Sequence, residues 1–330
     1  MSRSLIVLPD DSSKPLIDAI NGATSSLRIK MFVFSDPSLV NAVIAAKKRG
    51  VDVRVMLNPE RRNGQKENAE VREKLVAAGV SVQDSNPRFD VTHEKSMVVD
   101  GKTAYIQSLN WETRNLTETR DYAVVTSHAH EVSEAMAGFD ADWQRTDFAM
   151  LDGSNLIWCT GNGRLRICEF IDRAKHSLWL QNERYQDPVV IEHLVRAHVR
   201  GVKIKVMARP PHKLKKDKLV EGVSGLRVLQ DLGIPVHKLR HIKLHGKVML
   251  ADDKRAIVGS INIAPGSFDS RRELAIEVDD DHIIHRVRKT LEHDWDNSKL
   301  LDLSAEGLLK ELKDLDPEVA EDLGISHHDK

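Results

Sequence analysis

The sequence predicts an α/β protein written twice along one chain, each copy a mostly parallel or mixed β-sheet flanked by helices. Three observations carry this reading. The block Ser35–Pro59, "SDPSLVNAVIAAKKRGVDVRVMLNP", lies over Gln186–Pro210, "QDPVVIEHLVRAHVRGVKIKVMARP", at a constant offset of 151 residues, so that Asp36 and Pro37 meet Asp187 and Pro188, and Arg49 and Gly50 meet Arg200 and Gly201. Farther on the offset becomes 152 and six polar positions keep it: His93 with His245, Lys95 with Lys247, Asp100 with Asp252, Ser108 with Ser260, Asn110 with Asn262, and Asp121 with Glu273. Between these positions run short β-rich segments joined by turn-prone pairs of residues.

The elements follow in order. "LRIKMFVF" and "LWLQNERY" are strand-like, Pro37 and Pro188 sit where a helix starts, and Gly50 and Gly201 close that helix before a β-branched run. Strand, helix, strand in this order is a βαβ unit. "SMVVD", "TAYIQ" and "YAVVT" in the first copy, and "VMLAD", "RAIVG" and "LAIEV" in the second, read as adjacent antiparallel strands with Asp-Gly or Asp-Asp at their turns. Each copy ends in an amphipathic helix, "HAHEVSEAMAGFDADWQ" and "DHIIHRVRKTLEHDWD". The boundary falls near Leu151–Asn155, which divides the chain into 1–150, 151–300 and an acidic helix or tail over 301–330.

With 330 residues, 41% of them hydrophobic, the chain can bury a large core. Charged residues make up 30%, the net charge is -1, and no apolar run approaches the ~18 residues of a membrane span. The opening run "LIVL" is too short for the core of a secretory signal, so a cytoplasmic location is expected. Cys159 and Cys168 have neither CxxC spacing nor a His pair nearby and read as buried apolar residues. Charge is uneven along the chain. Lys203–Arg255 holds fourteen Lys and Arg against five Asp and Glu, a balance of +9, while Asp302–Lys330 holds three against nine, or -6. The basic segment, with "HKLKKDK" at its centre, reads equally as an attractor of phosphate-rich partners and as a solvated face.

A His and a Lys two residues apart on a strand share a face. There a neutral imidazole can attack phosphorus or protonate a leaving oxygen, while an ammonium and an Asn amide neutralise the non-bridging oxygens. An imidazole that attacks through one nitrogen needs its other N–H held by an acceptor, a task suited to Asp121 or Glu273. Two copies supply an attacker and an acid, and the chemistry calls for no metal and no cofactor. His128, His130, His176, His193, His198, His237 and His241 lack such company and read as structural or exposed.

HxKxxxxD followed by GSxN, present twice, resembles the phospholipase D superfamily. The second copy is complete in His245, Lys247, Asp252, Gly259, Ser260 and Asn262; the first has Gln107 where the family usually has Gly. "NWETRNLTETRD" is similar to the corresponding stretch of cardiolipin synthases, with Asp121 where Glu is more usual, which implies a weaker contact to His93. The resemblance covers residues 5 to 300 and implies a duplicated phospholipase D-like fold whose halves meet at a pseudo-twofold axis with both motifs facing one pocket. It further implies a covalent phosphohistidine on His93, His245 as acid and then base, Lys95, Lys247, Asn110 and Asn262 as the phosphate clamp, Ser108 and Ser260 hydrogen-bonding within the site, and structural roles for Asp100 and Asp252. Trp111 reads as a residue of the pocket mouth or, more simply, of the core.

Three functions follow. A phospholipase or phosphatidyltransferase acting on phospholipid at a membrane surface is favoured, since aromatic residues are only 5% and no basic stripe is interleaved with them for stacking bases. A metal-independent nuclease, with nucleic acid as partner, and an inactive phosphate-binding scaffold are the alternatives. The duplication supplies both motifs in one chain, which predicts a monomer with a pseudo-dimeric active site.

Overall fold

In the computed structural model, residues 2–59, 66, 68–151, 153–210, 216–304 and 306–307 are described, with the backbone alone at 216–221. Most of the acidic 301–330 segment and of the basic stretch "HKLKKDK" lies outside them.

The first repeat runs β1 (Arg3–Leu8), α1 (Lys14–Gly22), β2 (Ser26–Met31), α2 (Pro37–Lys48), β3 (Asp52–Leu57), α3 (Ala69–Ala77), β4 (Ser81–Asp84), β5 (Val91–Thr92), β6 (Ser96–Val99), β7 (Thr103–Gln107), α4 (Thr113–Thr117), β8 (Thr119–Thr126) and α5 (Ala129–Gln144). The second runs β9 (Leu156–Cys159), α6 (Gly163–Asp172), β10 (Ser177–Asn182), α7 (Pro188–Val199), β11 (Lys203–Ala208), α8 (Lys216–Asp231), β12 (Val236–Leu239), β13 (Lys243–Leu244), β14 (Lys247–Ala251), β15 (Arg255–Gly259), α9 (Pro265–Asp269), β16 (Arg271–Val278), α10 (Asp281–Asp296) and β17 (Ser298–Leu300). The helices α2 and α7 start alike for a local reason. Asp36 accepts hydrogen bonds from the Ser38 and Leu39 amides and Asp187 from that of Val190, each with proline at the first helical position. Both stop at a glycine in the left-handed region, Gly50 at φ 94° and Gly201 at φ 89°.

Each repeat forms a mixed sheet. The first has the order β1-β8-β7-β6-β2-β3-β4 and the second β17-β12-β11-β10-β14-β15-β16, with β9 on β16 as β1 is on β8. Strands β2, β3 and β4 are parallel, as are β10, β11 and β12, and the rest of each repeated sheet is antiparallel. The remaining two strands are exchanged. Strand β5 of the first repeat pairs with β16 of the second, Val91 opposite Arg271 and Thr92 opposite Arg272, and β13 of the second pairs with β8 of the first, Lys243 opposite Thr119 and Leu244 opposite Arg120. This reciprocity is what a pseudo-twofold relation requires.

Each half has its own apolar core between sheet and helices, around Leu27, Val53 and Phe34 in one and Leu178, Val206 and Tyr185 in the other. A third core joins the two sheets, with Val7, Ile106, Tyr122 and Val124 against Leu250, Val258, Leu274 and Ile276. At roughly 1.5–3 kcal/mol for each large apolar side chain removed from water, the seam is an interior and not a docking surface. Buried charge crosses it in both directions. Arg120 pairs with Asp294 (2.9 Å) and Arg272 with Asp142 (2.8 Å), the second pair joined by Lys30 and Glu94. At the positions equivalent to Lys30 and Glu94 stand Gln181 and Gly246, and the Tyr122 ring occupies the space a side chain at 246 would need. Among the described residues no helix is long and apolar enough to cross a membrane.

Candidate active site

The exchanged strands lead straight into the two HxK segments. Leaving β5, the chain donates the His93 and Glu94 amides to the carbonyl of Arg272 on the other half (both 2.9 Å); leaving β13, the His245 and Gly246 amides turn to that of Arg120 (3.4 and 2.7 Å). The two histidines therefore stand where the chain crosses between sheets, ahead of the strands their apolar neighbours form, and Lys247 opens β14. Lys95 and Lys247 fold back so that each ammonium donates to the carbonyl of the histidine two residues earlier.

Each imidazole is held by a carboxylate of the opposite half. His93 Nδ1 lies 2.8 Å from Glu273 Oε2, and His245 Nδ1 lies 2.8 and 3.1 Å from the two oxygens of Asp121. This corrects the expectation that Asp121 serves His93. Crossing strands deliver each histidine to the partner sheet, so the acid nearest in sequence is not the one it meets. Asp121 also accepts from the Ser108 and Thr119 hydroxyls (2.6 and 2.5 Å). Burial pulls its carboxyl upward, but His245, Lys247 and the Ser108 hydroxyl outweigh burial and hold it below the usual range. Glu273 goes the other way: burial outweighs Lys95 and Arg271 and raises it. Burial also drives His93 well below its ordinary value, helped by Lys95, Lys247 and Arg271, so its imidazole is neutral at neutral pH. Lys95 too is pushed well down, by burial first and then by Lys247. That Lys247 acts on both His93 and Lys95 puts the two motifs in one electrostatic site.

Three positions expected to touch substrate do not face it. Trp111 is fully buried: its ring meets Phe34 edge-on at 4.9 Å and its indole N–H donates to Gln107 (3.1 Å). The core, not the pocket mouth, claims the ring because residue 111 bridges to Phe34 behind the first sheet. The same bond explains Gln107. In the second repeat the pair is Gly259 and Ile263, and a Cβ at 259 would stand 2.4 Å from Ala275. Ser108 and Ser260 are likewise fully buried; each hydroxyl accepts the amide of the neighbouring strand, from Tyr122 and Leu274, so neither reaches a substrate. Asn110 and Asn262 are buried, and among the described residues each carboxamide oxygen has no hydrogen-bond partner. Asp100 and Asp252, both at φ 54°, accept the backbone amides that open β2 and β10, Ser25 and Ser26 in one, His176 and Ser177 in the other. Burial works against these carboxylates, yet the amides hold both below the usual range.

The structure adds residues that the motifs did not announce. Glu183 pairs with Lys247 (2.8 Å) and Arg209 (2.7 Å) and stands 3.9 Å from His245 Nε2. At the matching place in the first repeat is Phe32, whose ring packs edge-on against His93 at 4.9 Å. Arg271, opposite Thr119 in the repeat, acts on His93 and Glu273. The signal was present in the sequence as breaks in the internal repeat at 32 and 183 and at 119 and 271. Among the described residues no group of three or more His, Cys, Asp or Glu is arranged to hold a metal ion.

Comparison with known proteins agrees with this geometry. Residues 16–143 and 167–295 each match the family model described as cardiolipin synthase, PLD-like domain. Polyphosphate kinase 1 of Chlorobaculum tepidum is 27% identical over 308 residues, 86% of this chain but 43% of that protein, so the chain spans less than half of this relative. Cardiolipin synthase B of Escherichia coli (strain K12) is 26% identical over 317 residues, 83% of this chain and 75% of that protein. Among solved structures, phosphatidylserine synthase of Haemophilus influenzae Rd KW20 has the same fold, with a TM-score of 0.73 at 13% identity over 97% of this chain and 94% of that one. The polyphosphate kinase of Porphyromonas gingivalis follows it with a TM-score of 0.66 at 19% identity, over 89% and 50%. The chain belongs to the cardiolipin synthase, PLD-like domain family of the phospholipase D superfamily, and carries that domain twice.

Proposed function

We propose that this chain is a phospholipase D-type enzyme that cleaves or exchanges the phosphodiester of a phospholipid through a covalent phosphohistidine, working peripherally at a membrane surface. The observation that carries the reading is the reciprocal holding of the two imidazoles, Glu273 on His93 and Asp121 on His245, each at 2.8 Å through Nδ1. A carboxylate that accepts the Nδ1 proton leaves the Nε2 lone pair for attack or proton transfer.

In the first step His93 Nε2 attacks phosphorus and the P–O bond to the leaving alcohol breaks, its oxygen taking the proton from His245 Nε2. In the second, water or an acceptor alcohol gives its proton back to His245 and its oxygen attacks phosphorus, breaking the P–N bond. Lys95 and Lys247 balance the charge on the non-bridging oxygens. The division of roles is supported by the neighbours of each ring. Phe32 and burial favour a neutral His93, while the carboxylate of Glu183 faces Nε2 of His245, where the mobile proton must sit. Asn110 and Asn262, both buried, complete the clamp. The likeness to cardiolipin synthase B supports a lipid substrate.

The test uses one EDTA-containing buffer, phosphatidylglycerol and phosphatidylcholine vesicles, a labelled single-stranded DNA, and His93→Ala as control. Lipid turnover that disappears in His93→Ala is the expected result. DNA cleavage lost in the variant with lipids untouched would instead establish a nuclease, and silence on every substrate would leave the scaffold.

A further inference from the structure

The two repeats share the His, Lys, Asp, Ser and Asn of the motif and disagree at the residue that follows the first strand of each βαβ unit, Phe32 in one and Glu183 in the other. A carboxylate is a surprising wall for a phosphate pocket. Its side chain is 10% exposed, bonded through Oε2 to Lys247 and through Oε1 to Arg209, and burial is overcome by these cations and His245, which hold it ionised well below the usual range. Lys247 is therefore already neutralised by an acidic side chain, whereas the ammonium of Lys95 lies 4.9 Å from the Phe32 ring. The site's positive groups are Lys95, Lys247, Arg209 and Arg271, and its carboxylates are Asp121, Glu183 and Glu273. Glu183 Oε2 holds Lys247 at 2.8 Å and stands 3.9 Å from His245 Nε2, so a phosphate bound between the two histidines lies close to this carboxylate, and the second charge of a phosphomonoester adds a repulsion that a phosphodiester does not meet, where Coulomb energies in a partly desolvated pocket are several RT.

We propose that Glu183 is a specificity-determining residue that acts as a charge filter: it admits a singly charged phosphodiester to the His93–His245 site and excludes a doubly charged phosphate. The inference rests on the reading above that this site binds phosphodiesters, and it goes beyond that reading by naming the charge state accepted and the residue that enforces it.

Titration calorimetry with methyl phosphate and dimethyl phosphate at pH 8 tests it, since the monoester, with a second pKa of about 6, then carries two charges and the diester one. The wild-type chain should bind the diester at least about tenfold more tightly than the monoester. Glu183→Gln should tighten monoester binding by about tenfold or more while moving diester binding by less than about threefold. Arg209→Gln, which removes a cation and keeps the carboxylate, should move monoester affinity the opposite way; it guards against a Glu183 variant that fails to fold. Equal tightening for both ligands in Glu183→Gln, no tightening for either, or a wild-type preference for the monoester overturns the proposal. The outcome separates from that of the reaction itself. The stated charge preference without turnover of any diester would sink the phosphohistidine reading and keep the filter, and lipid turnover that depends on His93 without the preference would do the reverse.

Discussion

His93 and Glu273 are 180 residues apart in the chain and 2.8 Å apart in the fold, joined Nδ1 to Oε2 in a buried contact between the two repeats. The mirror contact, His245 with Asp121, spans 124 residues. Neither pair exists within one repeat, so catalysis by this site depends on the seam that joins the halves.

Removing either holding group should cost rate without costing affinity. Glu273→Gln and Asp121→Asn keep the shape but let the imidazole take the wrong tautomer, and we expect kcat to fall by about 10²–10⁴-fold with KM changed little. Initial rates on a soluble diester with a good leaving group check this; wild-type rates in Glu273→Gln would refute the positioning role.

The covalent intermediate should be visible by mass. Rapid acid-free quenching of the wild-type chain during turnover should show one phosphatidyl adduct, absent from His93→Ala and accumulating in His245→Ala when the leaving group needs no acid. An adduct that survives in His93→Ala would move the nucleophile to the second repeat.

The pH profile should be set by His93. Its value in the fold lies well below 6.5, with burial the main cause, so the imidazole stays neutral and competent through pH 6.5 and the acid limb of the rate falls below that point. The same shift affects stability. Between the folded value and the unfolded value of about 6.5 the unfolded chain binds the extra proton, so stability is lost as pH falls below about 6.5. Melting temperature against pH for the wild type and His93→Gln measures this, and an unchanged slope below pH 6.5 would count against it.

Gly246 should be intolerant of any side chain. A Cβ there meets the Tyr122 ring at 2.8 Å and the Arg120 carbonyl at 3.0 Å, so Gly246→Ala should lower stability by about 1–3 kcal/mol, read from urea unfolding. A neutral outcome would mean that the Tyr122 ring yields at no cost.

The charges across the seam should matter more. Arg120→Met leaves Asp294 buried with Gln181 as its remaining hydrogen-bond donor, and breaking such a pair costs about 3–5 kcal/mol. The backbone carbonyl of residue 120 receives the His245 and Gly246 amides, so a shift of this strand on loss of the guanidinium displaces His245, and activity should fall along with the unfolding midpoint.

Much of this protein is written in local sequence. The repeat at offsets of 151 and 152 announces two copies of one α/β unit, because strand–helix–strand patterning, Asp-Pro starts and glycine stops are set by neighbours a few residues apart. Asp100 and Asp252 could be read as structural for the same reason: each accepts the amides at the start of a strand within its own repeat. What sequence could not assign is every relationship that crosses the seam. Asp121 reads as the partner of His93 because both belong to one copy, and Trp111, which follows a motif asparagine, reads as pocket mouth or core. Only the exchange of β5 and β13 sends each histidine to the opposite sheet, and only the packing of Trp111 on Phe34 takes it from the pocket. Local propensity depends on near neighbours along the chain, whereas pairing across the repeats depends on which hydrophobic faces meet, and two nearly identical faces leave that choice to the tertiary fold.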